Sequence, residues 1–407
     1  MNGIKSIYHF VLAYLGAFIY RYPSERILVI GVTGTKGKSS TTEMVNAILE
    51  EAGYKTAVLN SIRIKVGDET SPNKMRMSMP GRFYLQSFFD RALKAGCNAA
   101  VIEMTSEGAR QYRHRAISLD ALIFTNLAPE HIESHGSLRA YSDAKFSIGK
   151  QLARSKKQFR IMVANADDPE SARYLHLPVE KTLGYSLKDD KSHAADEKGG
   201  HFRFNDTQIS IKLPGNFSLE NALAAATLAD ALGIGTPTIS RALGKISLIP
   251  GRAEKIDAGQ AFSVVVDYAH TPESLQALYD AYRGVRKICV LGATGGGRDR
   301  WKRPVMGKVA GDNCDVVILT NEDPYDEDPQ EIIKEVAKGL TRKAEVVVDR
   351  RQAIARGISL ALPGDAVLIT GKGTDPTIQG PHHSALPWSD AQVAREEIAK
   401  ALQLKKV

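Results

Sequence analysis

The stretch RILVIGVTGTKGKSSTTEMVNAILEEAGY, residues 26 to 54, constrains this chain more than any other. It reads as a short apolar strand, a glycine-rich turn, and an amphipathic helix that stops at Gly53. A strand feeding a helix through such a turn is a unit of α/β architecture, in which crossover helices cover a mainly parallel sheet. The buried-strand pattern returns in AAVIEMTSEG, LDALIFTNL and FRIMVANADDPES, each run ending in polar residues. The turn itself, Gly34, Thr35, Lys36, Gly37, Lys38, Ser39 and Ser40, suits phosphate. Its glycines let backbone N–H groups face phosphate oxygens, Lys38 adds a cation, and the Ser39 hydroxyl can ligate Mg²⁺. Val32 stands where the strict phosphate-loop spacing has its first glycine.

The 407 residues are 43% apolar and 25% charged, enough for two or three domains with their own cores. Residues 1–25 are expected to form an apolar leading helix and residues 26–249 a central phosphate-binding domain. HFRFNDTQISIKL alternates like an antiparallel appendage, and NFSLENALAAATLADALG is a helix with an alanine-rich face. Pro250 and Gly251 in SLIPGRAEKI mark the boundary to a second α/β domain, residues 250–407, of Rossmann-like layout. Its strands are FSVVVDYAH, KICVLGATGGG, DVVILTNEDP, AEVVVD and DAVLITGKGTD. In both domains polar residues cluster just after the strands, where such sheets bind ligands.

Several of those residues carry chemistry. Glu103 ends AAVIE and faces the same crevice as the glycine-rich turn, although alone it would read as a solvated strand-end acid. His131 follows ALIFTN, and a single imidazole is an unusual but workable partner for Mg²⁺, which prefers oxygen. Lys145 follows His131 by fourteen residues and is a poor metal partner as a plain ammonium. Asp267 could accept from a ribose hydroxyl or hold a metal-bound water, and His270 lies on the next turn. GATGGGRDRWKRPVMG sets Arg298, Arg300, Lys302 and Arg303 beside a second glycine-rich turn, an arrangement suited to an anion.

Charge and cysteine content narrow the setting. Lysine plus arginine exceed aspartate plus glutamate by 54 − 46 = +8, yet there is no dense basic block or RNA-binding aromatic signature. A nucleic-acid partner is therefore not expected. The three cysteines, Cys97, Cys289 and Cys314, are far apart and read as reduced core residues of a cytoplasmic protein. SIYHFVLAYLGAFIY, residues 6 to 20, has no charged residue but is shorter than the roughly 20 residues a spanning helix needs. No cleavage site follows it, so a secretory signal is not expected. Two readings stay open, a helix packed on the first domain and a peripheral membrane-surface helix.

Taken in order, these stretches resemble the Mur ligases, in particular the MurE-type UDP-N-acetylmuramyl-tripeptide synthetases. The resemblance runs from about residue 28 onward. It rests on GVTGTKGKSSTT, VIEMTSEG, IFTNLAPEHIESHGSLRAYSDAK, GNFSLENALAA, IPGRAEKI, VVVDYAHTPESL, GGGRDRWKRPVMG, NEDPYDEDP and GKGTD. It implies ATP-dependent amide ligation through an acyl phosphate, with Mg²⁺ bound by Ser39, Glu103 and His131. It also implies a CO₂-derived carbamate on Lys145, which turns a repelled ammonium into a carboxylate-like anion at the metal site. Asn221 and Arg252 are implied to contact the nucleotide, and Asp267 and His270 to bring the second domain to it. Closure about Pro250 and Gly251 is implied to keep water from the acyl phosphate. Arg298 is implied to grip the carboxylate of the incoming amino acid, a task suited to the arginine fork. The expected partners are small molecules and a muropeptide, bound by a monomer.

Three departures bear on the substrates. About 25 residues precede the loop where the family carries a UDP-sugar domain, so a lipid-linked acceptor is a further expectation. Diaminopimelate-adding members have Asp-Asn-Pro-Arg where this chain has EDPY, so Asp323 and Tyr325 replace the asparagine and arginine. Gly371 begins GKGTD, and Asp375 ends it where those members have glutamate. The acidity of this region suits a cationic terminus such as that of L-lysine, with meso-diaminopimelate the alternative. Lys36 stands at an asparagine position, and Glu130 and Glu133 replace aspartates beside the histidine. The same chemistry on a γ-glutamyl chain or folate, or a non-catalytic nucleotide-binding module, are the competing expectations.

Overall fold

Strand β1 (Leu28–Thr33) is buried along almost its whole length, as a continuous apolar run inside a parallel sheet must be. A computed structural model describes residues 3–130 and 132–404, with side chains from residue 7 to 403 over the same gap. The chain divides into two compact units, the first ending at Ser247 and the second running from Leu248. The short stretches Ala195–Lys198 and Leu213–Asn216 also belong to the second.

The first unit is built on an eight-stranded sheet. Its strands besides β1 are β2 (Thr56–Leu59), β3 (Arg63–Val66), β4 (Glu69–Pro72), β5 (Ala99–Glu103), β6 (Ala121–Phe124), β7 (Ile161–Asn165) and β8 (Lys181–Tyr185). They lie in the order β4-β3-β2-β5-β1-β6-β7-β8, parallel from β2 to β8, with β3 and β4 folded back antiparallel. Register decides the site. Val32 pairs with Glu103 and Thr33 with Phe124, so β1, β5 and β6 end level with one another. Whatever follows each strand therefore opens on one edge.

Helix α2 (Lys38–Glu51) starts inside the glycine-rich turn and covers one face of the sheet with Met44, Val45, Ile48 and Leu49. Helix α3 (Arg82–Lys94) buries Leu85, Phe88 and Phe89 in a core with Val29, Leu59 and Ile102 of the sheet. The leading segment forms helix α1 (Gly3–Ile19), which packs on α3 and, among its described side chains, buries just the small residues Ala13, Gly16 and Ala17. The helix Leu138–Ala153 is started by Ser137, whose hydroxyl accepts from the Ala140 N–H at 3.1 Å. The strands Gly200–Phe204 and Thr207–Ile211 pair antiparallel, as their alternation predicts.

The second unit carries a six-stranded sheet. In spatial order its strands are Glu254–Lys255, Ser263–Asp267, Ala366–Thr370, Lys287–Leu291, Val316–Leu319 and Glu345–Val346. All pairs except the first are parallel. One expectation is corrected here. Cys97 is buried and free, but Cys289 and Cys314 form a disulfide. Separated by 25 positions, they bracket a strand-to-helix crossover that returns beside its own starting strand, a proximity invisible in spacing alone. Among the described residues, no helix is long and apolar enough to cross a membrane.

Candidate active site

The glycine-rich turn is latched to the neighbouring strand end. The Thr35 N–H donates to the Asn126 carbonyl at 2.8 Å, and the Lys36 N–H to the Asn126 side-chain oxygen at 2.8 Å. The Thr125 hydroxyl donates back to the Lys36 carbonyl at 2.6 Å. Two glycines make this approach possible. Gly34 has φ +145°, and a Cβ there would sit 1.9 Å from the Thr125 hydroxyl oxygen. Gly37 has φ +82°, and its Cβ would sit 2.2 Å from the Asn221 amide oxygen. That oxygen accepts from the Thr41 hydroxyl at 3.2 Å, so Asn221 is held against the turn from another helix.

Ser39 and Glu103 meet at the level ends of β1 and β5. The buried Ser39 hydroxyl donates to Glu103 Oε2 at 2.8 Å, and the Ser61 N–H donates to the same oxygen at 3.1 Å. The Ser61 and Ser39 hydroxyls are 2.8 Å apart. Lys38 Nζ lies 3.9 Å from Glu103 Oε1 and donates to the Thr35 carbonyl at 2.8 Å. The Lys36 ammonium pairs with Glu130 at 2.9 Å. Ser40 is buried on the first turn of α2.

Lys145 is brought to this turn from the helix Leu138–Ala153. It is 2% exposed, and its Nζ donates to the Gly34 carbonyl at 2.5 Å. It lies 4.7 Å from the centre of the Tyr141 ring, one helical turn earlier. The Tyr141 hydroxyl is 3.1 Å from that of Thr35. Burial first, and then repulsion by Lys38, hold the Lys145 amine well below the usual lysine range. The surroundings thus favour the neutral, nucleophilic amine.

Do these groups fit Mg²⁺? Ser39 and Glu103 offer hard oxygen donors side by side, and Mg²⁺ is usually held by one or two carboxylates plus substrate phosphates and waters. The fit is good on that basis. Among the described residues no group of three or more histidine, cysteine, aspartate or glutamate side chains forms a ready metal cage. The expected ligand His131 lies outside the described residues.

The remaining expected residues all fall in the second unit. Arg252 lies over the Tyr268 ring, 4.8 Å from its centre, and donates to the Gly251 carbonyl at 2.9 Å. The Asp267 carboxylate accepts from the Ala253 and Ala269 N–H groups, both at 2.6 Å. His270 is half-buried, its Nδ1 2.6 Å from the Tyr268 carbonyl. The Gly371 N–H donates to the Asp267 carbonyl at 3.1 Å, which ties this group to the next.

That next group sits at the ends of the strands Lys287–Leu291, Val316–Leu319 and Ala366–Thr370. Arg298 lies over the Tyr325 ring, 5.1 Å from its centre, and Tyr325 holds φ +53°. Asp323 Oδ1 accepts from Lys372 Nζ at 2.7 Å and from the Gln379 N–H at 2.8 Å. Asp375 pairs with the same lysine at 3.2 Å. The acidity expected to meet a substrate amine thus already meets the buried ammonium of Lys372. Beside them burial pushes the Glu322 carboxyl up, while its Oε1 accepts from the Thr294 hydroxyl at 2.7 Å.

The residues missed in the sequence are Ser61, Thr125, Asn126, Tyr141 and Lys372. Three left a signal: Tyr141 stands at i−4 from Lys145, a same-face helical spacing, and Thr125 and Asn126 directly follow an apolar strand. Ser61 and Lys372 left none, because their roles depend on contacts across the sheet.

Residues 32–229 match the family model of the Mur ligase middle domain, and residues 251–373 that of the Mur ligase, glutamate ligase domain. The UDP-N-acetylmuramoyl-L-alanyl-D-glutamate–2,6-diaminopimelate ligase of Syntrophomonas wolfei is 36% identical over 401 residues, 95% of this chain and 81% of that protein. The ligase of the same name from Geobacillus kaustophilus is 34% identical over 403 residues, 95% of this chain and 82% of that protein. A solved structure of such a ligase superposes with a TM-score of 0.64 at 25% identity, covering 95% of this chain and 82% of its own.

Proposed function

This chain belongs to the Mur ligase family, and from that we infer an ATP-dependent carbon–nitrogen ligase of peptidoglycan precursor synthesis. The proposed reaction adds a diamino acid, L-lysine or meso-diaminopimelate, to a D-glutamyl muramyl peptide. The names of the relatives support this substrate class. The observation that carries the reading is local: Ser39, Glu103 and Lys145 converge on one phosphate-type turn from three separate elements.

In the proposed chemistry an acceptor carboxylate oxygen attacks the γ-phosphorus of ATP, and the bond to the β-phosphate oxygen breaks to release ADP. The amine of the diamino acid then attacks the acyl phosphate carbon, loses a proton and expels phosphate, leaving an amide. Positioning and charge neutralisation carry most of such phosphoryl transfer. The N–H groups of Gly37, Lys38, Ser39 and Ser40 and the Lys38 ammonium are assigned to the β- and γ-phosphates, while Gly34, Thr35 and Lys36 shape the turn that presents them. Ser39 and Glu103 are assigned to Mg²⁺, with His131 completing the set, and the ion supplies further charge neutralisation there. Asn221, Arg252 and Asp267 are assigned to the nucleotide and His270 to the reacting groups.

Lys145 is assigned a carbamate. A neutral amine attacks the carbon of CO₂, forms the N–C bond and releases one proton. The buried, depressed amine of Lys145 is in the form this step needs. Arg298 is assigned to the α-carboxylate of the amino acid. Tyr325, Gly371, Asp323 and Asp375 are assigned to the same amino acid. Tyr325 lacks the charge to bind a distal carboxylate, which favours L-lysine, whereas the relatives' names favour diaminopimelate. The enzyme is placed in the cytoplasm and taken to act as a monomer.

The deciding experiment measures phosphate release from ATP with Mg²⁺ and bicarbonate. It crosses a UDP-muramyl dipeptide and its lipid-linked counterpart with L-lysine, meso-diaminopimelate and L-ornithine, and identifies products by mass spectrometry. One pairing that yields an amide supports the proposal and names both substrates. Amide formed only on a γ-glutamyl or folate acceptor, or no product from any pairing, overturns it.

A further inference from the structure

Helix α1 buries only one side of itself. From residue 7 to residue 20 every exposed position carries a large apolar or aromatic side chain. The most exposed are Ile7 and Phe18, both 67%, followed by Tyr8 at 59%, Ile19 at 56% and Val11 at 54%. At about 100° per residue, Ile7, Val11 and Phe18 stand at the middle of this face and Tyr8 and Ile19 toward one border. The exposed arc covers about half the helix circumference, and Gly3–Ile19 contains no acidic residue.

The width of the arc discriminates between occupants. A second helix covers a narrow seam, about two positions in seven, and leaves the flanks of a half-circle wet. A planar lipid surface covers all of it, and tyrosines near the edge of such a face can keep their hydroxyls at headgroup level. The charge around the helix points the same way. Arg21 and Arg26 follow α1 and are exposed. The exposed Lys156 ammonium lies over the Tyr22 ring, 5.0 Å from its centre. Phe10 packs edge-on against Tyr112 at 6.0 Å, which fixes α1 on the first unit. Glu25, paired with Lys156, is the acid among these groups. The helix is too short to span, so the geometry is that of a helix lying in the interface.

We propose that α1 docks this protein on an anionic bilayer, with the Ile7–Val11–Phe18 face in the acyl boundary and the flanking arginines and Lys156 over the headgroups. Such docking holds the catalytic unit at a membrane surface without any spanning segment. It also brings the enzyme next to any acceptor carried on a lipid.

The test is flotation of the full chain with vesicles of phosphatidylcholine alone and of phosphatidylcholine with phosphatidylglycerol, at low and high salt. The variant Val11→Glu/Phe18→Glu is compared alongside. Both positions are exposed, so thermal melting and ATP turnover on soluble substrates are expected to match the parent. The expected result is flotation with the anionic vesicles, weaker at high salt, and reduced about tenfold or more in the variant. Failure of the parent chain to float with either vesicle overturns the proposal. So does flotation that the two glutamates leave unchanged. Light scattering that shows a concentration-dependent dimer, lost in the variant while no vesicle binding occurs, would assign the face to a second copy instead.

Discussion

Lys145 and Gly34 are 111 positions apart, yet the lysine amine lies 2.5 Å from the glycine carbonyl oxygen, under the phosphate-type turn. A buried ammonium there would repel Lys38 and give nothing to a metal, whereas a carbamate would do the reverse. With ¹³C-bicarbonate, NMR is expected to show a carbamate signal in the parent chain that is absent from Lys145→Arg. Lys145→Ala is expected to lower ligation by about 10²- to 10³-fold, the usual loss when a group that stabilises transition-state charge is removed. A variant with parental activity and no signal in either protein would refute the carbamate.

Glu103 accepts from both the Ser39 hydroxyl and the Ser61 N–H. Replacing it with glutamine keeps the shape and removes the charge. Phosphate release should fall by about 10²-fold or more, and raising Mg²⁺ should recover part of the loss. Loss of folding, read by circular dichroism, would instead make Glu103 a structural strut.

Gly37 combines a left-handed backbone with the closest approach to Asn221. Gly37→Ala should cost about 1–3 kcal/mol from strain and weaken ATP binding as read by calorimetry. Adding Asn221→Ala removes the clash but not the strain, so stability should recover only in part. Full recovery would mean that the backbone at residue 37 is not strained.

Lys372 pairs with both Asp323 and Asp375 inside the second unit. Lys372→Met leaves two carboxylates without their cation and should destabilise that unit by about 3–5 kcal/mol. Denaturant melts should show the loss, and Lys372→Met/Asp323→Asn should regain part of it. If the single variant melts like the parent, the three groups do not form a coupled buried network.

His114 is 1% exposed, and burial, with Arg115 adding repulsion, lowers it from its ordinary 6.5 to about 3. Between those values the unfolded chain binds a proton that the folded chain refuses, so stability falls as pH drops through that window. Each unit below 6.5 should cost about 1.4 kcal/mol. Melts at pH 7.5 and pH 5 should show His114→Leu losing about 2 kcal/mol less than the parent over that interval. Equal losses would mean that His114 takes up its proton without unfolding.

The phosphate-type turn and the α/β character were legible in the sequence, because each depends on short-range pattern. Apolar runs of strand length declare a buried parallel sheet, and glycines before a helix declare a turn. That Glu103 faces the crevice of the turn was expected from the sequence, whereas its contact with Ser39 rests on the register in which β1 and β5 pair.

What the sequence could not carry was the pairing of groups across the fold. Nothing in the spacing of Asp323 and Lys372 says that the lysine pairs with this acid, because the strand ends that carry them meet only in the folded sheet. The Cys289–Cys314 bond was hidden in the same way, inside a crossover whose return point is set by packing. Local pattern by itself determined the elements and the turn chemistry, through backbone sterics and apolar periodicity. Only the tertiary structure decided which charges are spent within the protein and which face of α1 stays bare, because both depend on burial shared between distant segments.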